Sequence, residues 1–126
     1  MTFVDTNYFL RLLIADVETH HKIARSLFDS AAQAKVKLFT SVIVFFEVSW
    51  VLSSFYNKRK TELLSLLEDI LNLEFIDIEE RPILEEALRM FRARTIELED
   101  AYNIVYARTH GAKHFATFDK KLAKSW

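Results

Sequence analysis

The chain of 126 residues contains no cysteine, one glycine and one proline. The first absence excludes a disulfide framework and a thiolate metal centre, and it fits a reducing compartment. So little glycine and proline excludes collagenous and low-complexity architectures. Long apolar runs are missing as well. The longest, Val42 to Leu52, is interrupted by Glu47 and Ser49 and is too short to span a bilayer. The N-terminus has no cationic stretch leading into an apolar segment, which predicts no signal peptide, no membrane association and a cytoplasmic location. Charge of one sign is also lacking. Seventeen basic residues stand against 18 acidic ones, and the net charge of -1 neither demands nor forbids a nucleic-acid partner.

What the chain does have is apolar content, at 51% hydrophobic residues. For its mass, surface scaling gives roughly 7,000 Å² exposed when folded and about 21,500 Å² when unfolded, enough for one domain with a real core. Charges are segregated along the sequence. From Glu62 to Glu86 there are nine acidic residues and one basic residue, Arg81. Lys58-Arg59-Lys60 precedes this stretch, and Arg89, Arg92 and Arg94 end it. Arg108, Lys113, Lys120, Lys121 and Lys124 follow towards the C-terminus. The pattern is that of a basic rim beside an acidic surface, or of ordinary solvated helix faces.

No repeat or linker divides the chain. Thr2-Phe3-Val4 reads as a short strand running into Asp5-Thr6-Asn7, three residues suited to a turn and helix cap. Tyr8 to Ile14 follows as a helix. Val17 to Lys35 carries a helical stripe at Ile23, Ala24, Leu27, Phe28, Ala31 and Ala32. Val36 to Thr40 is a second strand, and Ser41 caps a helix reaching about Phe55. Lys58 to Leu71 is helical, with Leu63, Leu64, Leu66, Leu67 and Ile70 inward. Phe75 to Ile78 is a third strand. Pro82 then falls near the first turn of a helix whose stripe is Ile83, Leu84, Ala87, Leu88 and Phe91. Leu98 to Thr109 forms a further helix ended by Gly111, and His114 to Thr117 a fourth short strand. Strands separated by helices, not by hairpins, predict an α/β sandwich with a parallel sheet. Ligands of such sheets bind beyond the carboxyl ends of the strands.

Four acids fall at such places. Glu47 stands in a helix that reads as apolar nearly all round, which predicts a buried carboxylate needing a cation or a proton. A metal ion would supply the cation; a narrow exposed face or an arginine partner would remove the need. Asp5 closes the first strand and Asp119 the fourth, and each is also good capping chemistry. Asp100 follows Glu97 and Glu99 in the first turn of its helix, where the helix dipole alone favours acids. Gathered on one edge, the four would make a hard-oxygen pocket suited to Mg²⁺ or Mn²⁺.

The same residues carry a resemblance. Phe-Val-Asp-Thr-Asn-Tyr-Phe-Leu at the N-terminus resembles the opening signature of PIN-domain ribonucleases, particularly VapC-type toxins. Phe-Glu-Val around Glu47 is similar to their second motif, Leu-Glu-Asp-Ala-Tyr to the third, and His-Phe-Ala-Thr-Phe-Asp-Lys-Lys-Leu to the fourth. The motifs occur in order over nearly the whole chain. The resemblance implies one PIN-like domain over residues 1–126, a three-layer α/β/α sandwich with a short, mainly parallel central sheet. It implies an acidic quartet of Asp5, Glu47, Asp100 and Asp119, supported by Asn7 and Thr117 and less directly by Asn103. Asp5 and Asp100 would be the most direct metal ligands, with Glu47 and Asp119 completing a second ion's shell or orienting water. The expected activity is Mg²⁺- or Mn²⁺-dependent endoribonuclease cleavage, as the toxin of a type II toxin–antitoxin pair. RNA, a cognate antitoxin and a second copy of the chain would be its partners. The family's usual final strand, beyond the fourth motif, has no counterpart before Trp126.

The residues offer other readings too. His110 and His114 have zinc-like spacing, but Gly111 breaks the helix that would align them and no cysteine assists. His20-His21 falls at the start of a helix and reads as exposed. A stand-alone RNA-processing nuclease would carry the same acids; a non-catalytic binding module with this fold would not need them. Phe46, Trp50, Phe55 and Tyr56, beside Lys58-Arg59-Lys60, suit either core packing or a surface for a partner.

Overall fold

Three short apolar segments pair into one sheet: β1 (Thr2–Phe3), β2 (Leu38–Thr40) and β3 (Ile76–Ile78), in the order β1-β2-β3. Every pairing is parallel, with Thr2 opposite Leu38, Phe3 opposite Phe39, and Phe39 opposite Asp77. Parallel neighbours need long crossovers, and helices supply them. Helices α1 (Thr6–Leu13) and α2 (Glu18–Ala32) join β1 to β2, and α3 (Val42–Ser54) and α4 (Lys60–Leu71) join β2 to β3. The computed structural model describes residues 1–126. Its chain divides into two compact units, Met1–Glu79 and Glu80–Trp126. The class is α/β with a short parallel sheet, as the alternation of elements predicts.

Within the first unit the strands alternate. Leu38, Thr40, Ile76 and Ile78 are buried, while Phe39 is half-buried and Asp77 exposed. The Phe3 and Phe39 rings meet edge to face at 5.3 Å across β1 and β2. Ser41 caps α3 by accepting the Val44 N–H, and Glu79 Oε1 accepts the Val42 N–H at 3.0 Å. Two anionic or polar acceptors thus close the donors of one helix start.

Three helices bury less of their apolar surface than the sequence predicts. On α2, Ala24, Phe28 and Ala31 are buried, but Ile23 and Ala32 are exposed and Leu27 only half-buried. On α3, Val44, Phe45, Val48, Ser49 and Leu52 face inward, whereas Ile43 is 76% exposed and Trp50 63% exposed. Apolar residues occupy the outer face of α3, so its sequence gives no clue to which side is buried. On α4, Leu66 is likewise half-buried beside the buried Leu63, Leu64, Leu67 and Ile70.

A polar clasp secures the end of α3. Arg11 pairs with Asp16 Oδ1 at 2.9 Å, and the Tyr56 hydroxyl donates to Asp16 Oδ2 at 2.9 Å. The Tyr56 hydrogen bond, with the Arg11 charge, holds the Asp16 carboxyl below the usual carboxylate range. Burial, reinforced by the Asp16 carboxylate, pushes the Tyr56 phenol up.

The second unit contains α5 (Arg81–Ala93), α6 (Leu98–Thr109) and α7 (Lys120–Ser125). Pro82 sits in the first turn of α5, and Ile83, Leu84, Ala87, Leu88 and Phe91 are all buried. Leu98, Ala101, Ile104 and Val105 form the buried face of α6, which packs against α5. Gly111 follows α6 with φ of 81°, a left-handed conformation that glycine adopts without a steric penalty.

The fourth strand is absent. Residues 114–117 pair with no strand, and the sheet has three. An apolar stretch becomes a strand only where a partner offers its ladder. Here the Phe115 ring instead stacks on Trp126 at 5.3 Å, and Thr117 takes part in the turn into α7. That helix was not foreseen. No helix of the chain is long and apolar enough to cross a membrane.

Candidate active site

In the first unit the carboxyl ends of β1 and β2 are tied together. The Val4 N–H donates to Phe39 O at 2.9 Å, and Thr40 Oγ1 donates to Val4 O at 2.8 Å inside the core. Both strands then turn into helices on this edge. Asp5 is the N-cap of α1, its Oδ1 accepting the Thr6 N–H at 2.8 Å. Glu47 lies on the second turn of α3 and accepts a hydrogen bond from the Thr6 hydroxyl. Thr6 therefore joins the two acids: its backbone holds Asp5 and its side chain holds Glu47.

Glu47 is exposed, not buried. The expected burial fails because α3 presents Ile43, Glu47 and Trp50 together on its outer face. Hydration and the Thr6 hydroxyl accommodate its charge without an enforced cation. Thr6 itself, 6% exposed, was missed as a functional residue. Its one sequence signal is a hydroxyl at the first position of a helix whose cap is a candidate acid.

In the second unit Asp100 occupies the first turn of α6 and is half-buried. Asp119 is the N-cap of α7, its Oδ1 accepting the Leu122 N–H at 3.1 Å. The Asp119 N–H in turn donates to Thr117 Oγ1 at 3.1 Å, so Thr117 fixes the turn that presents this acid. Asp100 and Asp119 line one cavity of about 180 Å³ together with Glu97, Thr95 and Lys121. Three acidic residues and one lysine line that space.

The remaining expected residues sit elsewhere. Asn7 is exposed on α1 and lines a separate cavity of about 340 Å³ with Tyr8, Arg11 and His20. Asn103 is exposed on α6 and does not line the cavity of Asp100. His110 stacks on Tyr106 at 4.0 Å with its Nδ1 on the Tyr106 carbonyl, and His114 is exposed, so the pair is not aligned. His20 is exposed as expected, but His21 is half-buried against the Arg11 carbonyl, with Nδ1 at 2.7 Å.

A divalent cation is tested on the donor set. Nowhere do three or more histidine, aspartate or glutamate side chains gather closely enough to cage an ion. Mg²⁺ does not require such a cage, since it keeps several waters and is commonly held by one or two carboxylates plus substrate phosphate. Asp100 and Asp119, which line one cavity with Lys121 available for an anion, fit that mode. Asp5 and Glu47 supply the same hard-oxygen chemistry at the sheet edge.

This chain belongs to the PIN domain family, whose profile matches residues 2–125. Among individual proteins it is similar to a VapC ribonuclease of Aquifex aeolicus (strain VF5). The two are 27% identical over 124 residues, which cover 98% of this chain and 91% of that protein. Among solved structures it is similar to Mycobacterium tuberculosis VapC20, described as a Sarcin-Ricin loop cleaving toxin. The identity is 21%, the TM-score 0.46, and the match covers 98% of this chain and 93% of that one.

Proposed function

We propose that the protein is a Mg²⁺- or Mn²⁺-dependent endoribonuclease, the toxin of a type II toxin–antitoxin pair. The observation that carries this reading is the joint placement of Asp100 and Asp119 in one cavity with Lys121. It falls inside a PIN-family match that runs through both units. The same match supports treating residues 1–126 as one functional domain. The similarity to a VapC ribonuclease supports RNA as substrate and an antitoxin as partner.

The four acids have distinct parts in this reaction. Asp5 and Asp100 would be the most direct metal ligands, and Glu47 and Asp119 would complete a second ion's shell or orient water. When bound, the cation supplies Lewis acidity towards a phosphodiester and a nucleophile near neutral pH. The chain's own groups do the rest. Thr6 fixes Glu47 and Thr117 fixes Asp119, so neither acid has to be ordered during the reaction. Lys121 gives the RNA phosphate a cation among acids that would otherwise repel it. Asn7 would support the acidic site by hydrogen bonding, with Asn103 in a lesser part.

The exposed Ile43, Trp50 and Phe55 offer apolar surface to a second copy or an antitoxin, beside Lys58-Arg59-Lys60. A cytoplasmic location suits these partners. The test is cleavage of an end-labelled RNA by purified protein. Cutting is expected with Mg²⁺ or Mn²⁺ and none with EDTA. Undiminished cutting in EDTA would overturn the metal-dependent reading.

A further inference from the structure

Phe118 is the most exposed large apolar side chain in the protein, with a relative exposure of 107%. It touches nothing that would account for a phenyl ring. The backbone turn that carries it is nevertheless fixed. Thr117 accepts the Asp119 N–H, and Asp119 caps α7, so the turn that carries Phe118 is held on both sides by hydrogen bonds. The next residue, Asp119, lines the acidic cavity, and Lys121 lines it too. The Lys121 ammonium belongs to none of the ion pairs of the protein.

An exposed aromatic ring three residues before an exposed lysine ammonium matches the chemistry of a single-stranded nucleotide. Proteins bind unpaired RNA by stacking bases on aromatic rings while cations follow the backbone. We propose that Phe118 stacks on an unpaired base next to the cleaved phosphodiester, with Lys121 on the adjoining phosphate. Phe118 would thereby select single-stranded RNA at the cut. This deepens the nuclease reading and rests on it for the cut itself, whereas the stacking contact stands on binding alone.

A ring this exposed is hydrated alike in the folded and the unfolded chain, so Phe118→Ala is expected to melt with the wild type. The experiment follows a short fluorescein-labelled RNA by anisotropy in EDTA and by cleavage in Mn²⁺. The same RNA is also made with the base on either side of the cut removed. Phe118→Ala is expected to weaken binding about tenfold, equivalent to about 1.4 kcal/mol, and to raise KM similarly with kcat within about twofold. Phe118→Trp should restore both. On one of the two base-deleted RNAs the wild type should fall to the level of Phe118→Ala, and the variant should lose nothing more. Equal binding of intact RNA by wild type and Phe118→Ala overturns the proposal, and so do losses that simply add on both base-deleted RNAs. Weaker binding by Phe118→Ala without cleavage by any variant would support stacking and overturn the nuclease reading instead.

Discussion

Asp100→Asn is expected to remove RNA cleavage while leaving the fold intact. The substitution keeps the shape of the side chain and takes away one negative charge. Asp100 belongs to none of the ion pairs of the protein, and it lines its cavity with two further acids, Glu97 and Asp119, so removing its charge strands no partner. The variant should therefore melt at or slightly above the wild-type temperature when both are in EDTA. Cleavage in Mn²⁺ should fall by more than about a hundredfold, the scale on which even outer partners of metal ligands act. End-labelled RNA under single-turnover conditions reads the loss. Retained cleavage would remove Asp100 from the reaction.

Glu47→Gln separates stability from activity in a different way. Because Glu47 is exposed, the substitution relieves no desolvation, and the amide oxygen can still accept the hydrogen bond from Thr6. Stability should stay within about 0.5 kcal/mol of the wild type, as for other surface changes that leave no group unpaired. Cleavage in Mn²⁺ should nevertheless drop about a hundredfold if the carboxylate is needed beside Asp5. Denaturant melts and cleavage rates on the same preparations check both halves. A structural role would give the reverse, a destabilised protein that still cuts RNA.

The buried face of α3 was hidden from the sequence by its composition. Apolar residues lie on both sides of that helix, so periodicity could not reveal that Glu47 faces water with Ile43 and Trp50. Helix α5 is the opposite case. Its charged residues alternate with Ile83, Leu84, Ala87, Leu88 and Phe91 at helical spacing, and all five are buried. The capping chemistry of Asp5 and Asp119 was readable as well, although only the helix after Asp5 was expected. The segment 114–117 failed as a strand because pairing is a tertiary event, and no local pattern supplies the partner. Thr6 was invisible for a related reason. Its hydroxyl matters only because α3, far along the chain, brings Glu47 to it.

The central claim, that these acids hold a divalent cation, is tested most directly by melting the protein across a Mn²⁺ titration. A ligand bound only by the folded state raises stability by RT ln(1 + [L]/Kd), about 2.7 kcal/mol at a hundred times Kd. The wild type should gain stability logarithmically with Mn²⁺, and Asp5→Asn and Asp100→Asn should each show little or none of that gain. A wild-type melting temperature indifferent to Mn²⁺, or an equal rise in both variants, would contradict the account.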